Sequence, residues 1–217
     1  MLPADPHYEA TTGKPVAVIL RPGKTPAGAQ TPVLRHVVKA IRARWPRVEI
    51  LVRGDSHYGR PEAMTWCEQN RVGDVFGLAG NKVLLTTVAD LAEDAAVSRA
   101  LDADDKVRRH ADLRYAAKTW KVERRVIARI EASAQGSDSR FIVTNLADTP
   151  RWLYEALYCQ RGQAENLIKA HKLHLASDRT SCTSAAANVP PVAPHRRLLA
   201  PLHPARLGAQ DLALARR

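Results

Sequence analysis

The chain has 217 residues, 45% of them apolar, and carries 33 Lys and Arg against 22 Asp and Glu, for a formal charge of +11 and a pI near 10.0. That length fits one domain with room for an insertion, and the charge calls for a polyanionic partner, most simply nucleic acid. Three scattered cysteines, Cys67, Cys159 and Cys182, exclude a disulfide framework or zinc site. With no signal peptide and no apolar run of transmembrane length, a cytoplasmic protein with reduced thiols is expected.

Residues 1–13 read as loop or frayed strand. Lys14 to Arg21, KPVAVILR, is a β-branched strand, and Arg21 to Gln30 a Pro/Gly loop. Next comes a helix with Thr31 as N-cap and Pro32 in its first turn, stopped by Pro46. Val33, Leu34, Val37, Val38, Ile41 and Trp45 form its buried stripe; Arg35, Lys39, Arg42 and Arg44 cover the other sides. Val48 to Arg53 is a strand. A second helix opens at Gly59-Arg60-Pro61-Glu62, with Ala63, Met64 and Cys67 inward, and Val75 to Leu78 is a short strand. This β-α-β-α-β order implies a parallel part of a sheet with helices packed on it.

Ala79-Gly80-Asn81 is a turn, and helical periodicity returns from Val83 to about Asp102. Asp104 to His110 is read as a charged bend. Two antiparallel strands follow between Leu113 and Ile130, then a turn over Gln135 to Ser139 and a strand from Phe141 to Leu146. A last helix, capped by Thr149-Pro150, runs from about Arg151 to about His174 with a break near Gly162. Beyond Cys182, residues 183–217 hold five of the 14 prolines, nine alanines, five arginines and one acid. A poorly ordered basic tail is expected there.

Two places carry candidate chemistry. Asp55, in Arg53-Gly54-Asp55-Ser56-His57-Tyr58-Gly59, sits just past the C-terminal end of a strand, where ligands of open α/β sheets bind; it reads equally as a turn aspartate. The RGD tripeptide is not read as an adhesion signal in so basic a chain. His57 and Tyr58 either contact DNA or only pack. In the last helix Tyr158, Arg161, Glu165 and Lys172 have offsets 0, 3, 7 and 14. At about 100° per residue they fall near 0, −60, −20 and −40° on the helix, with Lys169 near +20°. A carboxylate flanked by cations suits metal-assisted chemistry on a phosphate backbone, though alone such a face is more often solvated surface. Trp45, Trp66, Trp120 and Trp152 are read as core residues and Lys82 as a turn lysine. Asp178 and Arg179 are explained equally well by a local pair or cap.

The spacing Tyr158-x2-Arg161-x3-Glu165-x6-Lys172 resembles the signature of bacterial insertion-sequence DDE transposases. YCQRGQAENLIKAHK, ASDRTSC, ILVRGDSHYGRPEAMTWCE and AVILRPGKTPAGA resemble the group typified by insertion sequence 1380, over about Lys14 to Cys182. The resemblance implies an α/β, RNase H-like catalytic core over residues 14–182, incomplete, with a mostly β insertion at about 105–147 before the glutamate helix. It implies DNA transposition by strand cleavage and joining. The cofactor would be Mg²⁺ or Mn²⁺ in a two-metal site, the partners element ends and target DNA, and the assembly a homodimer at the nucleoid. Asp55 would be the second acid and Glu165 the third, both metal ligands and catalytic. Tyr158, Arg161, Lys172 and Lys169 would bind phosphates. The first aspartate has no good counterpart: Asp5 lies beside Pro6 with no apolar strand around it, and Lys14–Arg21 has no acid. The expectation is therefore a transposase fragment, truncated at its N-terminus and shifted in frame near Cys182, with little activity of its own. The alternative is a DNA-binding remnant that competes with an intact transposase.

Overall fold

The computed structural model describes residues 4–20, 30–102 and 105–175. The expectations for residues 21–29, 176–182 and 183–217, and those for Asp178, Arg179 and Cys182, fall outside the described residues. The chain divides into two compact units, one of Met1–Lys24 with Asn166–Arg217, the other Thr25–Glu165.

In the first unit β1 (Ala4–Tyr8) and β2 (Pro15–Leu20) form an antiparallel two-stranded sheet. Of the loop or frayed strand expected before residue 13, a strand forms: the pairing with the β-branched Pro15–Leu20 run recruits a segment whose own pattern is weak. Asp5 lies on β1, opposite Ile19, so it does belong to a strand. In the turn between them Gly13 takes φ +66°, and a β-carbon there would meet the Leu167 side chain at 3.5 Å.

The second unit holds a five-stranded sheet in the order β3-β4-β7-β6-β5. Its strands are β3 (Leu51–Gly54), β4 (Gly73–Leu78), β5 (Lys106–Tyr115), β6 (Arg124–Ser133) and β7 (Gly136–Thr144). Only β3 and β4 are parallel; the other pairs are antiparallel. The parallel part is thus a single pair, and β2 belongs to the other sheet. Two boundaries also move. Lys106 to His110 is strand, not bend, because each residue has a partner on β6. Residues 136–140 continue β7, with the turn shortened to Ala134-Gln135 and Gly136 at φ +110°.

Alternation along the strands puts side chains on both faces. Phe76, Val126, Ala128, Ile130, Phe141 and Val143 join one core cluster; Val75, Ile127 and Ile142 join another. The first cluster is covered by α1 (Gln30–Arg44), α2 (Pro61–Gln69), α3 (Lys82–Thr87) and α4 (Ala89–Asp102). Leu34 and Val38 bring α1 into it, and α2 contributes Ala63, Met64, Trp66 and Cys67, as its spacing predicts for three of the four. Burial, aided by the Asp74 and Glu68 charges, pushes the Cys67 thiol up to about 12. The expected single helix after Asn81 is two: Asn81 caps α3 by accepting from the Leu84 amide at 3.1 Å, and the chain bends at buried Val88. Thr31 lies inside α1 and does not act as its cap. Trp45 is 46% exposed, not part of the buried stripe. Trp66 is core, and Trp120 is half-buried against Tyr115.

At the start of β4 and β6 a polar group is built into the structure. The Arg124 guanidinium, only 5% exposed, donates to Glu68 at 2.6 Å and Thr65 at 2.9 Å, and lies over the Trp120 ring. Asp74 is buried beside it, and its Oδ1 has no hydrogen-bond partner among the described residues. Burial first, and then the Glu68 charge, push the Asp74 carboxyl up to about 7 against the opposing pull of Arg124.

Candidate functional site

β3 ends at Gly54 and hands the chain to Asp55, which opens a turn. The Tyr58 amide donates to the Asp55 carbonyl at 3.1 Å, and the His57 amide donates to the Asp55 carboxylate at 3.0 Å. The His57 Nδ1 lies 3.3 Å from the other carboxylate oxygen. Asp55 is thus a turn aspartate in its local role. Its side chain remains 46% exposed, with lone pairs to spare for a ligand. His57 is exposed. Tyr58 packs: its ring stacks on Phe76 and lies 2.7 Å from where a Gly54 β-carbon would sit. Glycine at 54 is therefore required by the close approach of that ring.

Two more glycines close this corner. A β-carbon on Gly59 would meet the Gly77 carbonyl at 2.6 Å. One on Gly77 would meet the Tyr158 hydroxyl at 2.7 Å, the Ser56 nitrogen at 3.0 Å and the Asp55 carbonyl carbon at 3.2 Å. Gly77 is thus a bare point near the C-terminal end of β4 onto which Tyr158 and the Asp55 turn both descend. Its only signal in the sequence is an isolated glycine inside the VFGL strand, since such glycines mark close backbone approach.

The other wall is a helix of three pitches. Residues Trp152–Tyr158 are π-helical, Cys159–Arg161 form a 3-10 turn, and α5 (Gly162–Leu175) completes it. The π stretch is anchored on the sheet by Leu153, Tyr154 and Leu157, all buried. Arg129 lies over the Tyr154 ring at 5.3 Å, while Glu155 faces Arg108 at 3.3 Å. Burial pushes the Tyr154 hydroxyl up to about 12. Arg53, two residues before Asp55, donates to the Leu157 carbonyl at 2.8 Å and to the Gln160 side chain at 3.1 Å. It ties the strand that carries Asp55 to the place where the helix changes pitch. Neither Arg53 nor Gln160 stood out in the sequence, because a clamp between distant segments has no local pattern.

Because the 3-10 turn brings i and i+3 into eclipse, Arg161 lies above Tyr158, not about 60° away as in a uniform α-helix. The guanidinium carbon is 5.6 Å from the Tyr158 ring centroid, and Nη1 is 2.9 Å from Glu165 Oε1. Tyr158, Arg161 and Glu165 form a contiguous column that begins at Gly77, beside the Asp55–Ser56 backbone. Glu165 is 54% exposed. Lys169 is an exposed residue further along α5, and Lys172 is on the same helix with its side chain outside the described residues. Both belong to the first unit.

Carboxylate oxygens with free lone pairs, partly exposed to water, are the donors that Mg²⁺ or Mn²⁺ prefers, and Asp55 and Glu165 fit that requirement. No cluster of three or more His, Cys, Asp or Glu side chains placed to hold a metal occurs among the described residues. No helix among them is long and apolar enough to cross a membrane.

A mixed α/β unit with a mixed sheet fits a DDE transposase domain. The family model for the transposase DDE domain, group 1, matches residues 6–193, and the chain belongs to that family. No curated protein matches it. The family acts in DNA transposition, generally depends on a divalent metal, and has DNA as its partner.

Proposed function

We propose that this chain derives from a transposase of the insertion sequence 1380 type, with an RNase H-like core, in which Asp55 and Glu165 hold Mg²⁺ for cutting and joining DNA at element ends. The observation that carries the reading is the column from Gly77 through Tyr158 and Arg161 to Glu165, with the Asp55 turn packed on Gly77 at its foot. Metal bound there would activate water or a 3′-hydroxyl and stabilise the leaving oxygen. The protein's own part is positional. The Asp55 turn fixes one carboxylate at a strand end, and Arg161 and Tyr158 offer a cation and a hydroxyl to phosphates.

Asp55 and Glu165 supply only two carboxylates. On this reading the chain alone binds its ions weakly and cleaves little. The test is Mg²⁺- or Mn²⁺-dependent cleavage of DNA carrying the element's end, by this chain and by its Asp55→Asn and Glu165→Gln variants. Strong cleavage that either substitution abolishes would support the site and overturn the inactivity. Strong cleavage indifferent to both would overturn the site. A second reading, DNA binding without catalysis in competition with an intact transposase, is favoured by the +11 charge and by the pairing of Glu165 with Arg161. It requires DNA affinity that falls steeply with salt.

A further inference from the structure

We infer that the turn after α1 is a second nucleic-acid contact, in which Trp45 stacks on an unpaired base while Arg44 and Arg47 reach the adjoining phosphates. The inference rests on the DNA reading above and adds a site to it. Trp45 continues the apolar stripe of α1 in sequence, yet Leu34 and Val38 are 6% and 2% exposed while Trp45 is 46% exposed. Its backbone is held on both sides: the Trp45 amide donates to the Ile41 carbonyl at 2.9 Å, and the Val48 amide donates to the Trp45 carbonyl at 3.2 Å. The indole therefore stands on a fixed turn, beside a shallow hollow of about 400 Å³ lined by Arg44, Trp45, Pro46, Arg47 and Val48.

The charges around it are one-sided. Arg42 is used internally, donating to the Asn70 and Arg71 carbonyls at 2.6 and 2.9 Å and so fixing the end of α1 against the end of α2. Arg44 and Arg47 are exposed and have no ion-pair partner among the described residues. Glu49 is the one acid between Ile41 and Ile50. An exposed indole between two guanidiniums suits a ligand with a flat apolar face and flanking anions. A nucleobase on its sugar-phosphate chain has both, and every base offers a π face. Bases inside a duplex already stack on each other, so the matching partner is a single strand, a flap or a frayed end. The turn leads into β3 and Asp55 follows its far end. Only that four-residue strand, roughly 13 Å of β-structure, and a short connection separate the two features. A strand engaged at Asp55 has its unpaired flank within a few nucleotides of Trp45.

The test measures binding of a labelled single strand, a 3′-tailed duplex and a blunt duplex, with tryptophan fluorescence followed in parallel. Trp45→Ala should weaken single-stranded and tailed DNA about tenfold, within the range of a lost base stack, and leave the blunt duplex unchanged. Trp45→Phe should keep most of the affinity but lose most of the quenching that DNA produces in the unsubstituted chain. Arg44→Ala with Arg47→Ala should lower the salt slope for single strands by about 1.4, at ~0.7 per phosphate contact. Equal affinity of Trp45→Ala for tailed DNA, or equal losses on tailed and blunt DNA, overturns the inference while the DNA reading stands. If the unsubstituted chain binds no DNA at low salt, the DNA reading fails and takes this one with it. A change of oligomeric state in Trp45→Ala with DNA affinity intact would make the face a contact between copies, and that too overturns the inference.

Discussion

The Tyr158 hydroxyl stands 2.7 Å from the point that a β-carbon on Gly77 would occupy. One methyl group at 77 would push against Tyr158 on one side and the Asp55–Ser56 backbone on the other. Gly77→Ala is expected to cost ~1–3 kcal/mol, as overpacking of a tight site does. Tyr158→Phe removes the opposing atom, so the double variant should recover much of that loss. Urea denaturation of the four proteins gives the coupling; strictly additive losses would show that the two residues do not meet.

Arg53 is expected to hold the helix where its pitch changes. Arg53→Ala removes donors to the Leu157 carbonyl and the Gln160 side chain, at ~1–3 kcal/mol. Both bonds come from one nitrogen, Nη1, so Arg53→Lys, which keeps a single charged donor nitrogen, should restore part of the loss. Amide hydrogen exchange should quicken in residues 158–162 beyond what the global loss explains. Unchanged protection there would remove the clamp.

Asp74 gives the protein an unusual pH response. Its carboxyl keeps its proton to about 7 in the folded state, against an ordinary value of 3.8. Between those values the folded chain holds a proton that the unfolded chain has released. Its contribution is complete below about pH 4 and is lost as the pH rises to about 7. The loss is on the order of 2–4 kcal/mol. Asp74→Asn should therefore gain stability relative to the unsubstituted chain between pH 4.5 and 7.5, measured by denaturant titration. Glu68→Gln should move the fall to lower pH, because the Glu68 charge raises the Asp74 value and Arg124 lowers it. A difference between Asp74→Asn and the unsubstituted chain that does not change with pH would contradict this.

Mn²⁺ binding, followed by electron paramagnetic resonance, separates the acids. Asp55→Asn and Glu165→Gln should each weaken it, and Asp5→Asn should leave it unchanged. Arg161→Ala should tighten it about two- to threefold, since a partly exposed ion pair is worth ~0.5 kcal/mol and its loss frees Glu165. Weaker binding in Arg161→Ala would mean that the arginine orients the carboxylate and does not compete for it.

Much of this was legible in the sequence because it is local. Pro61 and the inward Ala63, Met64 and Cys67 mark α2 through helix period and proline geometry, and the strand-end position of Asp55 follows from a short apolar run stopping at glycine, on a strand that is only partly buried. What was not legible depends on distant partners. β1 has no pattern of its own and exists through pairing with β2. Lys106–His110 looks like a bend until β6 supplies its hydrogen bonds. Trp45 obeys the apolar period of α1, but the helix ends at Arg44, so the period no longer governs where its ring points. At the candidate site the spacing from Tyr158 to Glu165 was readable. The pitch that stacks Arg161 over Tyr158, and the bare seat at Gly77, were not.

The π-helical stretch has a consequence for how this gene can change. A π turn spends one more residue per hydrogen-bonded loop than an α turn. Deleting a single codon between 152 and 158 could let that stretch close into ordinary α-helix with most of its buried contacts kept. The change of pitch absorbs the lost residue, so Arg161 and Glu165 would keep nearly their present facing toward Gly77. A codon lost between 162 and 164 has no wide turn to absorb it and would rotate Glu165 by about 100° away from Arg161. The wide turn is a reserve of length that the rest of the helix does not have.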